Sequence, residues 1–239
     1  MDVPTTVSTA LEDRPVSGAV CLEAGAGVGN TTAGLLAAGA SRVYAVTNDA
    51  AHAKAVSERV ARAEPDRTAV LEADLRSLPL ADDSVEIITA HGLFNVLPPE
   101  SLDAVVGEFR RVASPGCHLV VDDYEPLPSD AAIRELFALE NATSELARGR
   151  PALTFYPADV VRRLFVGDGW TFDREWTLLD PVPWTENHVR AHANVARSFA
   201  SKLPDELGDQ LAADADRLET AIGSESVGEM YSIAFQYPE

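Results

Sequence analysis

The chain has 239 residues, of which 38 are Asp or Glu and 19 are Lys or Arg, giving a formal net charge of −19, and 46% are apolar. That apolar share supports a full core and excludes a disordered chain, while the length suits one large α/β domain or a domain with a sizeable insertion. The acid excess argues against a nucleic-acid partner, which needs a basic face.

In chain order, "GAVCLEAG" (18–25) reads as a buried strand and "TTAGLLAAG" (31–39) as a helix ended by Gly39. "RVYAVT" (42–47) is a second strand, and "AAHAKAVSERVARAE" (50–64) is a helix that stops before Pro65. "TAVLEAD" (68–74) and "SVEIITA" (84–90) are further strands. Leu102, Val105, Val106, Phe109 and Val112 recur at helical spacing, and after an "SPG" turn "CHLVVDDY" (117–124) forms a fifth strand. A helix over about 129–148 follows, then a helix in "YPADVVRRLFVGDG" and a sixth strand in "WTFDREWTLL". A helical stretch from Pro183 to Gly223, broken at Pro204, precedes a last alternating strand, "GEMYSIAFQYP". This alternation predicts an α/β, Rossmann-like, doubly wound sheet of seven mostly parallel strands within a single domain, 1–239. Residues 126–150 and 184–223 are too long for ordinary connections and read as helical insertions, candidates for a lid over a substrate pocket.

Cys21 and Cys117 sit in strand-like surroundings and read as reduced core thiols. The start, "MDVPTTVSTALEDRP", has neither a basic segment nor an apolar run, and no stretch is long enough to span a bilayer. A cytoplasmic protein with no membrane partner is therefore expected. Lys54 and Lys202 are the only lysines, and acid excess with so little lysine in an alanine-rich chain resembles the proteins of salt-in halophiles, pointing to a halophilic archaeon.

"CLEAGAGVGNTT" (21–32) places Glu23 ahead of Gly25, Gly27 and Gly29 where a strand meets a helix. Such a turn brings bare backbone against a nucleotide-like ligand at a helix N-terminus. A dinucleotide fingerprint needs its third glycine three residues after the second, and Asn30 stands there instead. The pattern E-x-G-x-G-x-G, followed by "LEADLRSLPLADDSVEIITAHGLFNVL" and "FRRVASPGCHLVVDDY", resembles the class I S-adenosylmethionine-dependent methyltransferases over roughly 18–125, the cofactor-binding core. The resemblance implies a last strand antiparallel to the others. It implies that Gly25, Gly27 and Gly29 border the methionine part of S-adenosylmethionine, with Glu23 facing its ammonium. It gives Asp74 the adenine amine, Leu75 the ring, and His91 and Gly92 the methyl end. The family's ribose-binding acid at the end of strand two is replaced by Thr47, followed by Asn48 and Asp49. Either Asp49 swings back to the ribose, Thr47 and Asn48 bind it with neutral groups, or Asp49 simply caps the next helix.

Methyl transfer from a sulfonium is an in-line displacement, so the protein mainly aligns and desolvates, with a base needed only where the nucleophile holds a proton. His91 and Tyr124 are the catalytic candidates, with Asp122 and Asp123 beside them. No metal is expected, because His91 occupies the place where catechol-type enzymes carry an acid. "AHGLFN" lacks the N/D-P-P-Y/F signature of nucleobase and glutamine amino methylation, leaving a small-molecule acceptor with Phe155, Tyr156, Trp184, His188 and His192 as possible pocket residues. Two alternatives stand beside this reading: a cofactor-binding but inactive relative, and an NAD(P)-linked oxidoreductase. Against the latter, neither Lys54 nor Lys202 has a tyrosine four residues ahead. Oligomeric state is left open.

Overall fold

The computed structural model describes residues 3–239. A short helix, α1 (Thr5–Leu11), which the sequence pattern did not announce, precedes β1 (Val20–Ala24) and α2 (Asn30–Ala37). Then come β2 (Arg42–Thr47), α3 (Ala50–Val56) continued by a π-helical turn over Ser57–Ala61, β3 (Thr68–Glu72) and β4 (Val85–His91). α4 (Leu102–Val112) leads into β5 (Ala113–Tyr124), followed by α5 (Ile133–Arg148), α6 (Ala158–Gly167) and β6 (Thr171–Leu179). The chain closes with β7 (Pro183–Trp184), α7 (Glu186–Ala200), α8 (Asp205–Ile222), β8 (Glu225–Ser226) and β9 (Met230–Gln236).

Seven strands form one sheet in the order β3-β2-β1-β4-β5-β9-β6. β1 to β5 pair in parallel, and β9 runs antiparallel between β5 and β6, as the resemblance implied. Because side chains alternate across a strand, Cys21 and Ile87 face α1 and α2, whereas Leu22 and Ile88 face α4 and α6. Phe109 of α4 and Phe165 of α6 are fully buried on that second face, each removing enough apolar surface from water to contribute about 2–3 kcal/mol. A third apolar cluster lies off the sheet, where α5, α7 and α8 pack on one another and onto Tyr124 and Met230, at the carboxyl end of β5 and the start of β9. α5 lies within residues 126–150, and α7 and α8 lie within 184–223, separated between Ala200 and Asp205.

Candidate active site

At the carboxyl edge of β1 and β2 lies a crevice of about 340 Å3, lined by Gly25, Thr47, Asn48, Asp74, Leu75 and Leu93 among others. The glycine turn shapes one side of it. Gly25 and Ala26 both donate their N–H groups to the Val46 carbonyl (3.0 and 2.8 Å), which folds the chain back onto β2. Gly25 has φ +77° and a Cβ there would stand 2.8 Å from Leu93 Cδ1, so any side chain would be strained and would have to push Leu93 aside. Gly29, at φ +81°, is crossed by the end of α3: a Cβ would lie 3.3 Å from Val60 Cγ2. Gly27 and Gly29 thus shape the turn, while Gly25 is the member of the three that lines the crevice. Arg59 pins the turn from outside, donating to the Val28 carbonyl (3.1 Å) and Asn30 Oδ1 (2.6 Å).

Glu23 departs from its expected place. Its carboxylate is buried beneath the turn and accepts the Thr32 hydroxyl, tying β1 to the first turn of α2 rather than lining the crevice. Burial pushes this carboxyl up to about 7, against the pull of the Thr32 hydrogen bond. Of the three alternatives for Asp49 the structure shows the cap: it is exposed and accepts the N–H groups of Ala51 (2.8 Å) and His52 (2.9 Å) at the start of α3. Thr47 and Asn48 do line the crevice, Thr47 Oγ1 accepting the Asp49 N–H at 3.2 Å. On the opposite wall Asp74 accepts Arg76 Nε (3.0 Å) and Nη2 (2.6 Å), a fork that holds its carboxyl low, at about 2. Leu75, Leu93, Val96 and Leu97 supply an apolar surface, and Arg148 and Arg150 reach the same crevice from the end of α5.

A second cavity, about 250 Å3, opens between the sheet edge and the helical cluster. Gly92, Asn95 and Tyr124 form its sheet side; Phe155, Trp184, His188 and His192 face them. Tyr124 stands 5.2 Å from Trp184 and 6.3 Å from Phe155, ring centre to ring centre. Burial, reinforced by Asp123 and Asp122, pushes the Tyr124 phenol up to about 12, so it stays a neutral donor. Tyr156 is not on this wall; it packs on the sheet core. The loop after β4 divides the two cavities, with Gly92 and Asn95 on one side and Leu93, Val96 and Leu97 on the other.

Behind this loop lies a polar network. His91 and Asp122 are register partners on β4 and β5, and His91 Nδ1 is 3.0 Å from Asp122 Oδ2. Burial draws the His91 imidazole down, but the Asp122 hydrogen bond and charge, joined by the charges of Glu23 and Asp123, together turn the net shift upward. Asp123 points to the other face and accepts Asn95 N (3.0 Å) and Nδ2 (2.8 Å), fixing the dividing loop. Asp123 thus commits both oxygens, whereas Asp122 uses Oδ2 on His91 and its Oδ1 is buried without a protein partner among the described residues. Sequence reasoning missed Asn95, Leu93, Arg148 and Arg150, for no spacing links them to the glycine turn.

Residues 21–116 match the model of a methyltransferase domain. That segment carries the glycine turn, Asp74 and the dividing loop, but stops short of Tyr124, Phe155, Trp184 and α7, which line the second cavity. A demethylmenaquinone methyltransferase of Clavibacter sepedonicus is 34% identical over 124 residues, 51% of this chain and 48% of that protein, so the chain spans about half of that relative's length. Among solved structures, the YcgJ protein of Bacillus subtilis superposes with a TM-score of 0.66 at 15% identity, covering 98% of each chain. The Burkholderia thailandensis 1,6-didemethyltoxoflavin-N1-methyltransferase, solved with its substrate and S-adenosylhomocysteine, gives 0.62 at 12% identity over 98% of this chain and 78% of its own. At these identities the structural likeness is one of fold.

Proposed function

We propose that this protein is an S-adenosylmethionine-dependent methyltransferase acting on a small molecule, with cofactor in the crevice and acceptor in the aromatic cavity. One observation carries the reading: a bare glycine turn, a carboxylate with an adjacent leucine, and a separate aromatic cavity meet across a single loop at Gly92. The crevice suits the group. Gly25 leaves backbone uncovered where a Cβ would collide, Asp74 is an acceptor for an exocyclic amine, and Leu75 offers a flat apolar face. Two relatives named above support a small-molecule acceptor by their names, demethylmenaquinone and 1,6-didemethyltoxoflavin methyltransferases.

The cofactor, when bound, supplies an electrophilic methyl group. Gly25 and its neighbours seat the methionine part, Asp74 and Leu75 fix the adenine, and Thr47 and Asn48 face the ribose with neutral groups. α7, backed by α5 and α8, covers the acceptor and keeps water from it, the lid role read from the length of these helices. Tyr124 donates to the acceptor. His91, held by Asp122, stands next to Gly92 at the methyl end. No helix among the described residues is long and apolar enough to cross a membrane. The acidic composition supports work in concentrated salt, in the cytoplasm, on a partner other than nucleic acid.

A second reading has one observation behind it: Asp49 is spent on a cap, so no strand-two carboxylate is left for the ribose, as in a relative that holds cofactor without turnover. An NAD(P)-linked activity is not favoured, since the glycine spacing and the methyltransferase-domain match both depart from it. Calorimetric titration with S-adenosylmethionine, S-adenosylhomocysteine and NADH in molar KCl decides the cofactor, and release of S-adenosylhomocysteine on incubation with candidate acceptors separates an enzyme from a relative that only holds cofactor. Binding of the first two, lost in Asp74→Ala and Gly27→Val, supports the proposal; binding of NADH alone overturns it.

A further inference from the structure

The second cavity contains a carboxylate–histidine pair that the cofactor crevice does not need. Glu140 of α5 is buried, and its Oε2 lies 2.7 Å from His192 Nδ1 on α7. Edge contacts hold the ring in place: Phe137 is 4.6 Å and Trp184 6.3 Å from it, centre to centre. With Nδ1–H committed to Glu140, the opposite nitrogen, Nε2, has no protein partner among the described residues, and His192 lines the cavity. A buried carboxylate that fixes one imidazole tautomer leaves the other nitrogen as a proton acceptor. The remaining walls carry no lysine, arginine, aspartate or glutamate, so an anionic acceptor finds no counter-charge there. At about 250 Å3 the space takes an acceptor of one or two rings against the wall formed by Tyr124, Phe155 and Trp184.

We propose that Glu140 and His192 form the acceptor-site base, and that the acceptor is a small, uncharged aromatic compound bearing a weakly acidic hydroxyl. This rests on the methyl-transfer reading of the neighbouring crevice. His192 Nε2 takes the hydroxyl proton, and the freed oxygen pair bonds the methyl carbon. The carbon–sulfur bond breaks with its electrons staying on sulfur, leaving a neutral thioether, and the imidazolium later returns its proton to water. His192 is the catalytic residue here, and Glu140 positions it. The groups facing this imidazole are Glu140 from α5, Tyr124 from β5 and His188 on its own helix, with Arg148 further along α5.

The test uses 4-nitrophenol, whose yellow phenolate band reports its own deprotonation. The full chain is titrated with this probe below the probe's solution pKa, with and without S-adenosylhomocysteine, and the latter's affinity is measured by calorimetry. Binding that brings up the phenolate band, weakened about tenfold or more in Glu140→Gln and His192→Gln, supports the base. A bound probe that stays a phenol, equal binding by all three proteins, or no binding overturns it. Unchanged S-adenosylhomocysteine affinity in the two variants keeps a folding defect from being mistaken for a lost base. His192→Asn, with a carboxamide of different reach, repeats the test should His192→Gln not fold. Phenolate capture without any S-adenosylhomocysteine binding would retire the methyl-transfer reading and leave the base standing; the reverse pattern would retire the base alone.

Discussion

His91 and Asp122 occupy paired positions on β4 and β5, and that register brings His91 Nδ1 to 3.0 Å from Asp122 Oδ2. The sheet itself builds the pair, because paired residues in adjacent strands project to the same face. Burial works against the charged imidazole, and Asp122, with smaller contributions from Glu23 and Asp123, more than offsets it, leaving the folded-state pKa above the ordinary 6.5. A raised histidine pKa adds stability that is complete below 6.5 and is lost as the pH climbs through the higher folded value. Asp122→Asn should therefore cost most stability in mild acid and least above neutrality. Urea unfolding at several pH values, with an NMR titration of the His91 ring, checks both the slope and its cause.

Glu23 gives a slope from a different group. Its buried carboxyl holds its proton up to about 7 in the folded protein, against 4.5 when free. The folded state then binds more protons than the unfolded one between those values, so stability falls as pH rises across them, by at most ~3 kcal/mol. Glu23→Gln keeps the shape, should flatten this fall, and should be more stable than the native chain above pH 7. An unchanged slope in calorimetric melting would show that Glu23 ionises freely.

Asp74 is gripped by Arg76 before any ligand arrives. An adenine amine must share or displace that fork. Since exposed ion pairs are weak, Arg76→Ala should tighten S-adenosylhomocysteine binding by about two- to fivefold, whereas Asp74→Ala should weaken it. Calorimetry on the two variants reads opposite signs; weakening in both would make Arg76 a direct ligand contact.

Gly25→Ala is expected to fail on two counts. The φ of +77° costs a β-carbon residue about 1–2 kcal/mol, and the new methyl meets Leu93 Cδ1 at 2.8 Å. Stability should drop by that amount or more and S-adenosylhomocysteine affinity should fall with it. A Gly25→Ala protein of native stability and affinity would mean that the turn is placed differently.

Asp49→Ala tests the cap assignment. Loss of the side chain that accepts from Ala51 and His52 should lower the melting temperature by a few degrees and leave cofactor affinity unchanged. A large loss of affinity would return Asp49 to the ribose.

The strand and helix order was legible because β1 and β4 are buried on both faces, giving apolar runs, while α4 carries its apolar residues at helical spacing. α1 was not, since seven residues with three buried side chains make too short a pattern. The glycine turn could be read locally, for φ and close approach are properties of a few adjacent residues. Glu23 could not, because its partner Thr32 lies across the turn and the sequence does not say which way a carboxylate faces. Asp49 was ambiguous for the same reason: capping and ligand binding use the same acceptor. Glu140 and His192 are 52 residues apart on two inserted helices, and only tertiary packing joins them.

The most direct measurement is the crystal structure of the protein with S-adenosylhomocysteine. Adenine is expected against Leu75 with its amine at Asp74, the amino-acid end along the turn at Gly25, and sulfur at Gly92 facing the cavity of Tyr124 and Trp184. Density elsewhere, or sulfur turned away from that cavity, would contradict this placement.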